Sequence, residues 1–275
     1  MAQIQNISVE FFPPKTEEGI AKLRETRKQL VELKPEFMSV TFGAGGSTRD
    51  RTMDTVLEIQ NEGFNAAPHI SGISSSKTEI LALINAYKAK GINRLVVLRG
   101  DVPSGDVSSG EFKYGSELVR FIRQETGQHF HIEVAAYPEF HPESRSPNLD
   151  LVHFKEKVDA GADSAITQYF YNADAYYNFM NECVKRNIDI AVVPGIMPIY
   201  NITQLSRFST SCGADIPRWL RLKLEDYGDD IASLKAFGLE VVTDLCVNLL
   251  KNNAPGLHFY SMNQSEAIKK IVSSL

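Results

Sequence analysis

The sequence is poor in cysteine and has no apolar segment long enough to mark a membrane protein. Its three cysteines, Cys183, Cys212 and Cys246, are far apart and form no C-x-x-C pair, so we expect buried, inert thiols. The N-terminus lacks a basic flank followed by an apolar stretch, so we expect no signal peptide. No apolar run approaches the roughly 18 residues that are needed to cross a bilayer. These absences predict a cytoplasmic protein with no membrane contact.

The chain also lacks an excess of positive charge and several well-known catalytic motifs. It has 29 lysine and arginine residues against 34 aspartate and glutamate residues, for a net charge of −5. This balance argues against a general nucleic-acid binder, which needs a basic surface. The chain has no H-E-x-x-H motif and no Cys/His cluster, so we expect no metal site. It also has no G-x-S-x-G motif, which argues against acyl transfer. A local anion site is compatible with this composition.

Strand-like and helix-like patterns alternate eight times along the 275 residues. Eight units of this kind, without a linker between them, predict an α/β protein with one domain over residues 1–275, a (β/α)8 or TIM barrel. A doubly wound sheet has the same alternation, but it usually has a nucleotide loop after the first strand, where this chain has Pro13-Pro14-Lys15. The predicted strands are Ile7–Pro13, Phe37–Gly43, Asn65–Ile70, Arg94–Gly100, His131–Tyr137, Ser164–Phe170, Ile190–Pro198 and Gly256–Met262.

Capping residues mark where several helices begin. Thr16 precedes two glutamates, which the dipole favours in the first turn of a helix. Ser76-x-x-Glu79 has the spacing of a capping box. A long apolar pattern predicts a helix from about Asp229 to Lys251.

Polar residues cluster at the ends of the predicted strands, where barrel enzymes build their active sites. Period-two alternation places Glu10 and Ser8 on one face of the first strand. Val9 and Phe11 lie on the other face, so Glu10 is a carboxylate in an apolar run, which is costly to bury without a partner or a task. The other residues of this kind are Thr41, His69, Arg99, Asp101, Tyr137, Glu139, His141 and Gln168.

Each of these residues also has a purely structural interpretation. Glu10 could form a core ion pair with an arginine or lysine, and His69 could be a hydrogen-bonded core histidine. Arg99 and Asp101 could form a salt bridge at the end of a strand, and Tyr137 could serve packing alone. The case for a site is that six successive strands contribute such residues at one end.

The glycine-rich segment Gly43–Thr48 follows a predicted strand and precedes a Ser47-x-x-Asp50 cap. It has Thr48 where the dinucleotide motif G-x-G-x-x-G requires glycine, and no GK[ST] occurs in the chain. We therefore expect a tight turn that lets a ligand approach the backbone, without a phosphate-loop function.

Nine segments together resemble the methylenetetrahydrofolate reductases, and they cover essentially the whole chain in order. The resemblance implies a (β/α)8 barrel of the short bacterial form, which binds FAD non-covalently. It implies reduction of methylenetetrahydrofolate to methyltetrahydrofolate for methionine synthesis, in a ping-pong reaction where NADH first reduces the flavin and folate then takes its place. Family members are usually dimers or tetramers. The segments are S-V-E-F-F-P-P-K-T (Ser8–Thr16), S-V-T-F-G-A-G-G-S-T-R-D-R-T (Ser39–Thr52), A-A-P-H (Ala66–His69), L-R-G-D (Leu98–Asp101), A-A-Y-P-E-F-H-P-E (Ala135–Glu143), K-V-D-A-G-A (Lys157–Ala162), I-T-Q-Y-F (Ile166–Phe170), P-G-I-M-P (Pro194–Pro198) and H-F-Y-S-M-N (His258–Asn263).

The resemblance also implies roles for individual residues. Glu10 corresponds to the general acid, and Asp101 to a carboxylate near the flavin pyrimidine edge and the pterin. The substrate-binding positions are Glu10, Thr41, Asp101, Gln168, Gln204, Phe208 and Gln264. The flavin-binding positions are Thr41, His69, Arg99, Gly100, Asp101, Tyr114, Gly115, Tyr137, His141, Ser144, Asp150, His153 and Lys157.

One departure from the family pattern matters, at Gln264, which directly follows the last of these segments. Well-known members have arginine after H-F-Y-x-x-N, and a neutral amide cannot make the same charge-assisted contact with the folate tail. Two alternatives to a reductase remain at this stage. One is another barrel enzyme that acts on a phosphorylated or pterin substrate without flavin, and the other is a non-catalytic binding barrel.

Overall fold

Parallel strands and helices alternate throughout the computed structural model, which describes residues 6–42, 46–100 and 110–275, with the side chains of 46–49 left aside. Each predicted strand is present, and most are shorter than predicted. The strands are β1 (Ile7–Phe11), β2 (Phe37–Val40), β3 (Ala66–Ser71), β4 (Arg94–Leu98), β5 (His131–Ala136), β6 (Ser164–Thr167), β7 (Ala191–Val193), β8 (Gly195–Ile196) and β9 (Leu257–Tyr260). The helices are α1 (Glu17–Val31), α2 (Gly46–Asn61), α3 (Lys77–Ala89), α4 (Gly115–Thr126), α5 (Pro147–Asp159), α6 (Ala173–Lys185), α7 (Ile202–Cys212), α8 (Arg218–Asp226), α9 (Ile231–Lys251) and α10 (Glu266–Ser273).

The strands form one parallel sheet in the order β7-β6-β5-β4-β3-β2-β1-β9-β8. The two ends of this row, β7 and β8, are separated in the chain by Pro194 alone. Proline has no backbone N–H to donate to a neighbouring strand, which interrupts the ladder at this residue. Its carbonyl still accepts a hydrogen bond from the His258 backbone at 3.0 Å. The row therefore bends into a nearly closed (β/α)8 barrel whose seventh strand is split, which confirms the predicted fold.

The caps predicted for α1 and α3 are present, whereas the predicted Ser47-x-x-Asp50 cap is wrong, because α2 already begins at Gly46. Thr16 Oγ1 accepts a hydrogen bond from the Gly19 backbone at 3.1 Å at the start of α1. Ser76 and Glu79 form the full capping box of α3. The long helix α9 begins at Ile231 after an Asp230 cap, two residues later than the pattern suggested.

The alternation of β1 separates two interiors. Val9 and Phe11 are fully buried in the layer between strands and helices. Ser8 and Glu10 share the other face, inside the barrel, where an apolar layer is formed by Phe37, Ala67, Val96 and Ile166. Inside the barrel, Glu10 is thus brought together with side chains of strands that are far apart in the sequence.

A polar network closes the N-terminal end of the barrel. Arg94 lies 2.5 Å from the carboxylate of Glu133, which also accepts a hydrogen bond from Ser164 Oγ at 2.5 Å. His131 Nε2 lies 2.6 Å from the same Ser164 oxygen. Burial acts to raise the pKa of Glu133, but the bonds from His131 and Ser164 and the charge of Arg94 hold it below its usual value. This carboxylate is fixed in its charged form.

The remaining sequence predictions concern cysteines and membrane spans. Cys183 and Cys246 are buried free thiols, and burial raises the pKa of each to about 12, as expected for inert thiols. Cys212 is also free but is partly exposed, so the expectation of a buried thiol is wrong for this cysteine. Among the described residues, no helix combines the length and apolar character that crossing a bilayer requires.

Candidate active site

Glu10 lies inside the barrel near the C-terminal end of β1, with 8% of the residue exposed. Its Oε2 atom lies 3.3 Å from Nε2 of His69 on β3 and 3.8 Å from Nε2 of His258 on β9. Neither contact has hydrogen-bond geometry, and both nitrogens are buried without a hydrogen-bond partner among the described residues. One carboxylate oxygen therefore faces two imidazole nitrogens.

No arginine or lysine pairs with Glu10 in the described part of the chain, where its ion-pair contacts are the two histidines. Burial lowers the pKa of His69 to about 4, although the charge of Glu10 acts to raise it. His69 is therefore uncharged at neutral pH and does not neutralise Glu10 as a cation would. The ion pair with an arginine or lysine that the sequence left open is therefore absent from the described part of the chain.

His258 on β9 lies between Glu10 and Ser8, which is two residues nearer the N-terminal end of β1. Its Nδ1 lies 2.7 Å from Ser8 Oγ, and its ring is completely buried. The ring stacks on Phe37 at 5.9 Å and meets Tyr260 edge-on at 5.3 Å. Aromatic packing on two sides and the hydroxyl contact hold the imidazole in one orientation.

Arg99 and Gly100 follow β4 at the C-terminal end of the barrel. Arg99 Nη2 lies 2.7 Å from Glu143 Oε2, and Arg99 Nε donates to the Gly100 carbonyl at 3.1 Å. Gly100 has a φ of +88°, a backbone conformation that side chains other than glycine rarely adopt. Glu143, in the loop after β5, is thus the described carboxylate partner of Arg99.

Lys157 on α5 reaches the end of β5. Its Nζ donates to the Ala135 carbonyl and lies 6.0 Å from the centroid of the Tyr137 ring. Burial lowers the pKa of Lys157 to about 8, and the charge of Asp150 opposes this shift. The Asp150 charge therefore compensates only part of the cost of burying the Lys157 ammonium group.

The N-terminus of α4 meets α5 beside this lysine. Tyr114 stacks on His153 with ring centroids 5.2 Å apart and an interplanar angle of 23°. A Cβ atom on Gly115 would lie 3.5 Å from Lys157 Cδ, so the helix start packs against the lysine stem. These contacts bring Tyr114, Gly115, His153 and Lys157 into one cluster.

The loop after β5 completes the cluster. Tyr137 and His141 pack edge-to-face with centroids 4.7 Å apart. Burial and then the charge of Arg99 lower the pKa of His141. Burial raises the pKa of Asp150, while Lys157 acts to lower it. The Ser144 backbone donates to the His141 carbonyl at 2.8 Å, which places Ser144 in the same turn.

The residues assigned to substrate lie around the same end of the barrel. Each lies in a loop after a strand or in one of the first two turns of the following helix, and no described contact joins any of them to Glu10. Thr41 follows β2, with its backbone donating to the Phe11 carbonyl at 3.0 Å. The others are Gln168 after β6, Gln204 in the first turn of α7, Phe208 one turn further on, and Gln264 between β9 and α10.

Two predicted features lie outside the described residues. Asp101, the proposed carboxylate near the flavin, belongs to the segment 101–109, and the first half of the predicted turn at Gly43–Thr48 falls on 43–45. The second half of that segment is already the start of α2. The third strand is also displaced by one residue from the prediction, because it runs from Ala66 to Ser71.

The sequence analysis placed Ser8 on the same face as Glu10 but missed His258 as a member of the Glu10 environment. Their strands pair in register, with Ser8 opposite His258 and Glu10 opposite Tyr260. The signal in the sequence was the alternation of His258 and Tyr260 on one face of the last strand. It could not be used without knowing that the first and last strands are neighbours.

The whole chain matches proteins of one enzyme family. Residues 2–275 match the family model described as Methylenetetrahydrofolate reductase. The 5,10-methylenetetrahydrofolate reductase of Salmonella typhimurium is 37% identical over 279 residues, covering 100% of this chain and 93% of the relative. The chain belongs to this family. The resemblance seen in the sequence is thereby confirmed.

Other methylenetetrahydrofolate reductase relatives and a solved structure extend the comparison. Methylenetetrahydrofolate reductase (NADH) 1 of Arabidopsis thaliana is 36% identical over 282 residues, covering 98% of this chain and 48% of the plant protein. A Clostridium thermocellum protein, described as binding two copies of 5-methyl-5,6,7,8-tetrahydrofolic acid, aligns with a TM-score of 0.69. The two are 17% identical, and the alignment covers 98% of this chain and 94% of the other. At this identity the likeness supports the barrel fold alone.

Proposed function

We propose that this protein reduces 5,10-methylenetetrahydrofolate to 5-methyltetrahydrofolate, with FAD as cofactor and NADH as the preferred electron donor. The observation that carries the proposal is Glu10, a buried carboxyl without a cationic partner in the described structure, inside the barrel of a family member. A carboxyl group at this position can act as a general acid and deliver a proton to a weakly basic nitrogen of a substrate bound at this end of the barrel.

The folate step explains why such an acid is needed. The imidazolidine ring of the substrate opens when one of its nitrogens is protonated, which leaves an iminium carbon that accepts a hydride. We assign this proton to Glu10. The substrate would lie between Glu10 and the residues Gln168, Gln204, Phe208 and Gln264, with Thr41 at the end of β2.

The cluster on β4, β5, α4 and α5 fits a dinucleotide flavin. Lys157 presents a cation whose described hydrogen bond is to a backbone carbonyl, and Arg99 adds a second cation for a pyrophosphate. Bound FAD would supply hydride transfer between nicotinamide and folate. The residues proposed to hold it are Thr41, His69, Arg99, Gly100, Tyr114, Gly115, Tyr137, His141, Ser144, Asp150, His153 and Lys157, with Asp101 near the ring.

Further parts of the proposal concern the cell and the assembly. We propose a cytoplasmic homodimer or homotetramer that supplies methyl groups for methionine synthesis. NADH is preferred over NADPH in this proposal, which a comparison of the two donors at equal concentration tests directly.

The decisive experiment follows the visible spectrum of the purified protein. A flavin band that is released by denaturation shows non-covalent FAD. NADH alone should bleach the band under anaerobic conditions, and methylenetetrahydrofolate should restore it while methyltetrahydrofolate forms. A colourless protein that takes up no FAD contradicts the proposal and favours another barrel enzyme on a phosphorylated or pterin substrate. Bleaching without reoxidation by folate contradicts the proposed substrate.

A further inference from the structure

Ser8, His258 and Glu10 form a line of contacts across the β1–β9 pair. Ser8 Oγ lies 2.7 Å from His258 Nδ1, and His258 Nε2 lies 3.8 Å from Glu10 Oε2. Ser8 is 3% exposed and His258 is 0% exposed. The three buried polar side chains therefore contact one another in sequence, and the Glu10 carboxyl group is the acidic group among them.

The Ser8 hydroxyl contacts one ring nitrogen of His258, so the role that it takes there is linked to the role of the other ring nitrogen. A neutral imidazole has one donor and one acceptor, and the hydrogen bond at one nitrogen fixes the role of the other. When Ser8 donates to Nδ1, the ring proton is on Nε2 and faces Glu10. Ser8 Oγ makes its one hydrogen bond within the described residues to this nitrogen.

We propose that Ser8 and His258 are positioning residues for Glu10 in the folate step, a role that rests on the function proposed above. Ser8 keeps His258 in the tautomer with Nε2–H, and this N–H donates to the carboxylate that remains when Glu10 has given its proton to folate. The proton moves from Glu10 to the folate nitrogen, and no bond to the imidazole breaks. Hydrogen bonds to a developing charge lower the barrier of the step that creates it.

The distance of 3.8 Å is longer than a hydrogen bond. Catalytic contacts are often long before substrate binds and tighten in the complex. The Nε2 atom has no competing partner among the described residues, so nothing there opposes this movement.

The other groups that face Glu10 do not fill the same role. Tyr260 points its hydroxyl away and donates to the Thr167 carbonyl at 2.7 Å. No described hydrogen bond fixes the tautomer of His69. Ser39, opposite Glu10 on β2, is buried with its hydroxyl unpartnered and carries no titrating group. His69, His258 and Tyr260 are thus the titratable neighbours, and His258 is the histidine of the two with a described hydrogen bond at its other ring nitrogen.

This role predicts a shift in pH dependence with a definite sign. Folate reduction requires protonated Glu10, so its rate falls on the alkaline side. Without the N–H donor the carboxylate is less stable, the acid is weaker, and Glu10 keeps its proton to higher pH. Ser8→Ala should therefore lower the maximal folate rate about five- to tenfold, the effect of one hydrogen bond, and move the alkaline limb upward by about half to one pH unit.

The barrel supplies a matched control at its other end. Ser164, His131 and Glu133 are the same three residue types, with His131 Nε2 2.6 Å from Ser164 Oγ. Ser164→Ala removes a hydroxyl of the same kind from the barrel interior near the N-terminal end. It should leave the pH profile of the folate step unchanged.

The experiment measures both half-reactions of the FAD-loaded enzyme by stopped flow across pH. For Ser8→Ala, bleaching by NADH should match the wild type while folate reoxidation shows the lower plateau and the upward shift. A limb that stays or moves downward overturns the proposal, and so does an equal shift in Ser164→Ala. His258→Leu, which removes the donor itself, should show the same direction with a larger loss; an unshifted limb there also overturns it. Wild-type flavin that folate never reoxidises would instead refute the proposed function.

Discussion

Gly100 and Ser71 approach so closely that no side chain fits between them. A Cβ atom built on Gly100 would lie 1.9 Å from Ser71 Oγ, which itself donates to the Arg99 carbonyl at 3.0 Å. The contact joins the ends of β3 and β4 at the edge of the proposed flavin site. The shape of that edge therefore depends on the absence of one methyl group.

Gly100→Ala should weaken FAD binding and lower the free energy of unfolding by more than the roughly 1 kcal/mol of the backbone alone. Gly63→Ala is the matched control, because Gly63 has the same φ of +88° and nothing within 4 Å of its added Cβ. Thermal unfolding and FAD titration measure both effects. Equal losses in the two variants would show that the Ser71 contact is unimportant.

Glu10→Gln should separate the two half-reactions. The amide keeps the shape but cannot give up a proton, so folate reduction should fall by about 10²–10⁴-fold, the usual contribution of a general acid. Hydride transfer from NADH needs no such proton, so bleaching should continue at the wild-type rate. Equal slowing of both half-reactions would make Glu10 structural, and unchanged rates would place the acid elsewhere.

Lys157 should give FAD binding a pH dependence. Burial lowers its pKa to about 8, so the ammonium loses its proton as pH rises through that value. Affinity for the anionic cofactor should then decline above about pH 8. Lys157→Arg keeps its charge at all these pH values and should abolish the decline. Lys157→Met should weaken binding about tenfold or more at pH 7.

The control for Lys157 is another lysine of the same helix. Lys155 pairs with Asp159 at 2.7 Å and is more than a third exposed. Lys155→Met should leave FAD affinity and its pH dependence as in the wild type. Fluorescence titration between pH 6 and 10 distinguishes the variants, and a flat wild-type profile would contradict the assigned role of Lys157.

Gln264→Arg should restore a charge-assisted contact with the folate tail. The expected gain is roughly 1 kcal/mol, or about a fivefold lower KM for folate, with NADH oxidation unchanged. Gln264→Lys should gain less, because an ammonium cannot make a bidentate contact with a carboxylate. Steady-state kinetics with both substrates test this. An unchanged KM in both variants would show that other residues hold the tail.

The barrel could be predicted because its strands and helices leave local patterns in the sequence. Alternation in β1 placed Ser8 and Glu10 on one face, and capping residues located the starts of α1 and α3. The split of the seventh strand at Pro194 was not predicted, since the run around it is apolar throughout and the break depends on pairing with β6 and β9. Tertiary pairing decided where the strands end.

The site was predictable in part for the same reason. Glu10 was found because a carboxylate in an apolar strand is exceptional. His258 was not, because its contact with Glu10 depends on the register of strands about 250 residues apart. The assignment of Lys157 and His153 to one cluster came from family resemblance, and the contacts between α4 and α5 now give it a physical basis.

Glu10 and Glu133, two buried carboxylates on strands of the barrel, differ in what surrounds them. Glu133 is held by Arg94 and by two further donors, whereas Glu10 meets imidazole nitrogens and no guanidinium or ammonium in the described structure. A carboxylate whose charge is permanently compensated by a neighbouring cation is rigid but chemically inert. A carboxyl group without that compensation can change its charge within each turnover. Placing a fixed positive charge beside Glu10 should therefore raise the thermal stability of the barrel and abolish its catalytic activity. The rest of the fold must therefore be stable enough to tolerate a buried carboxyl group without a cationic partner.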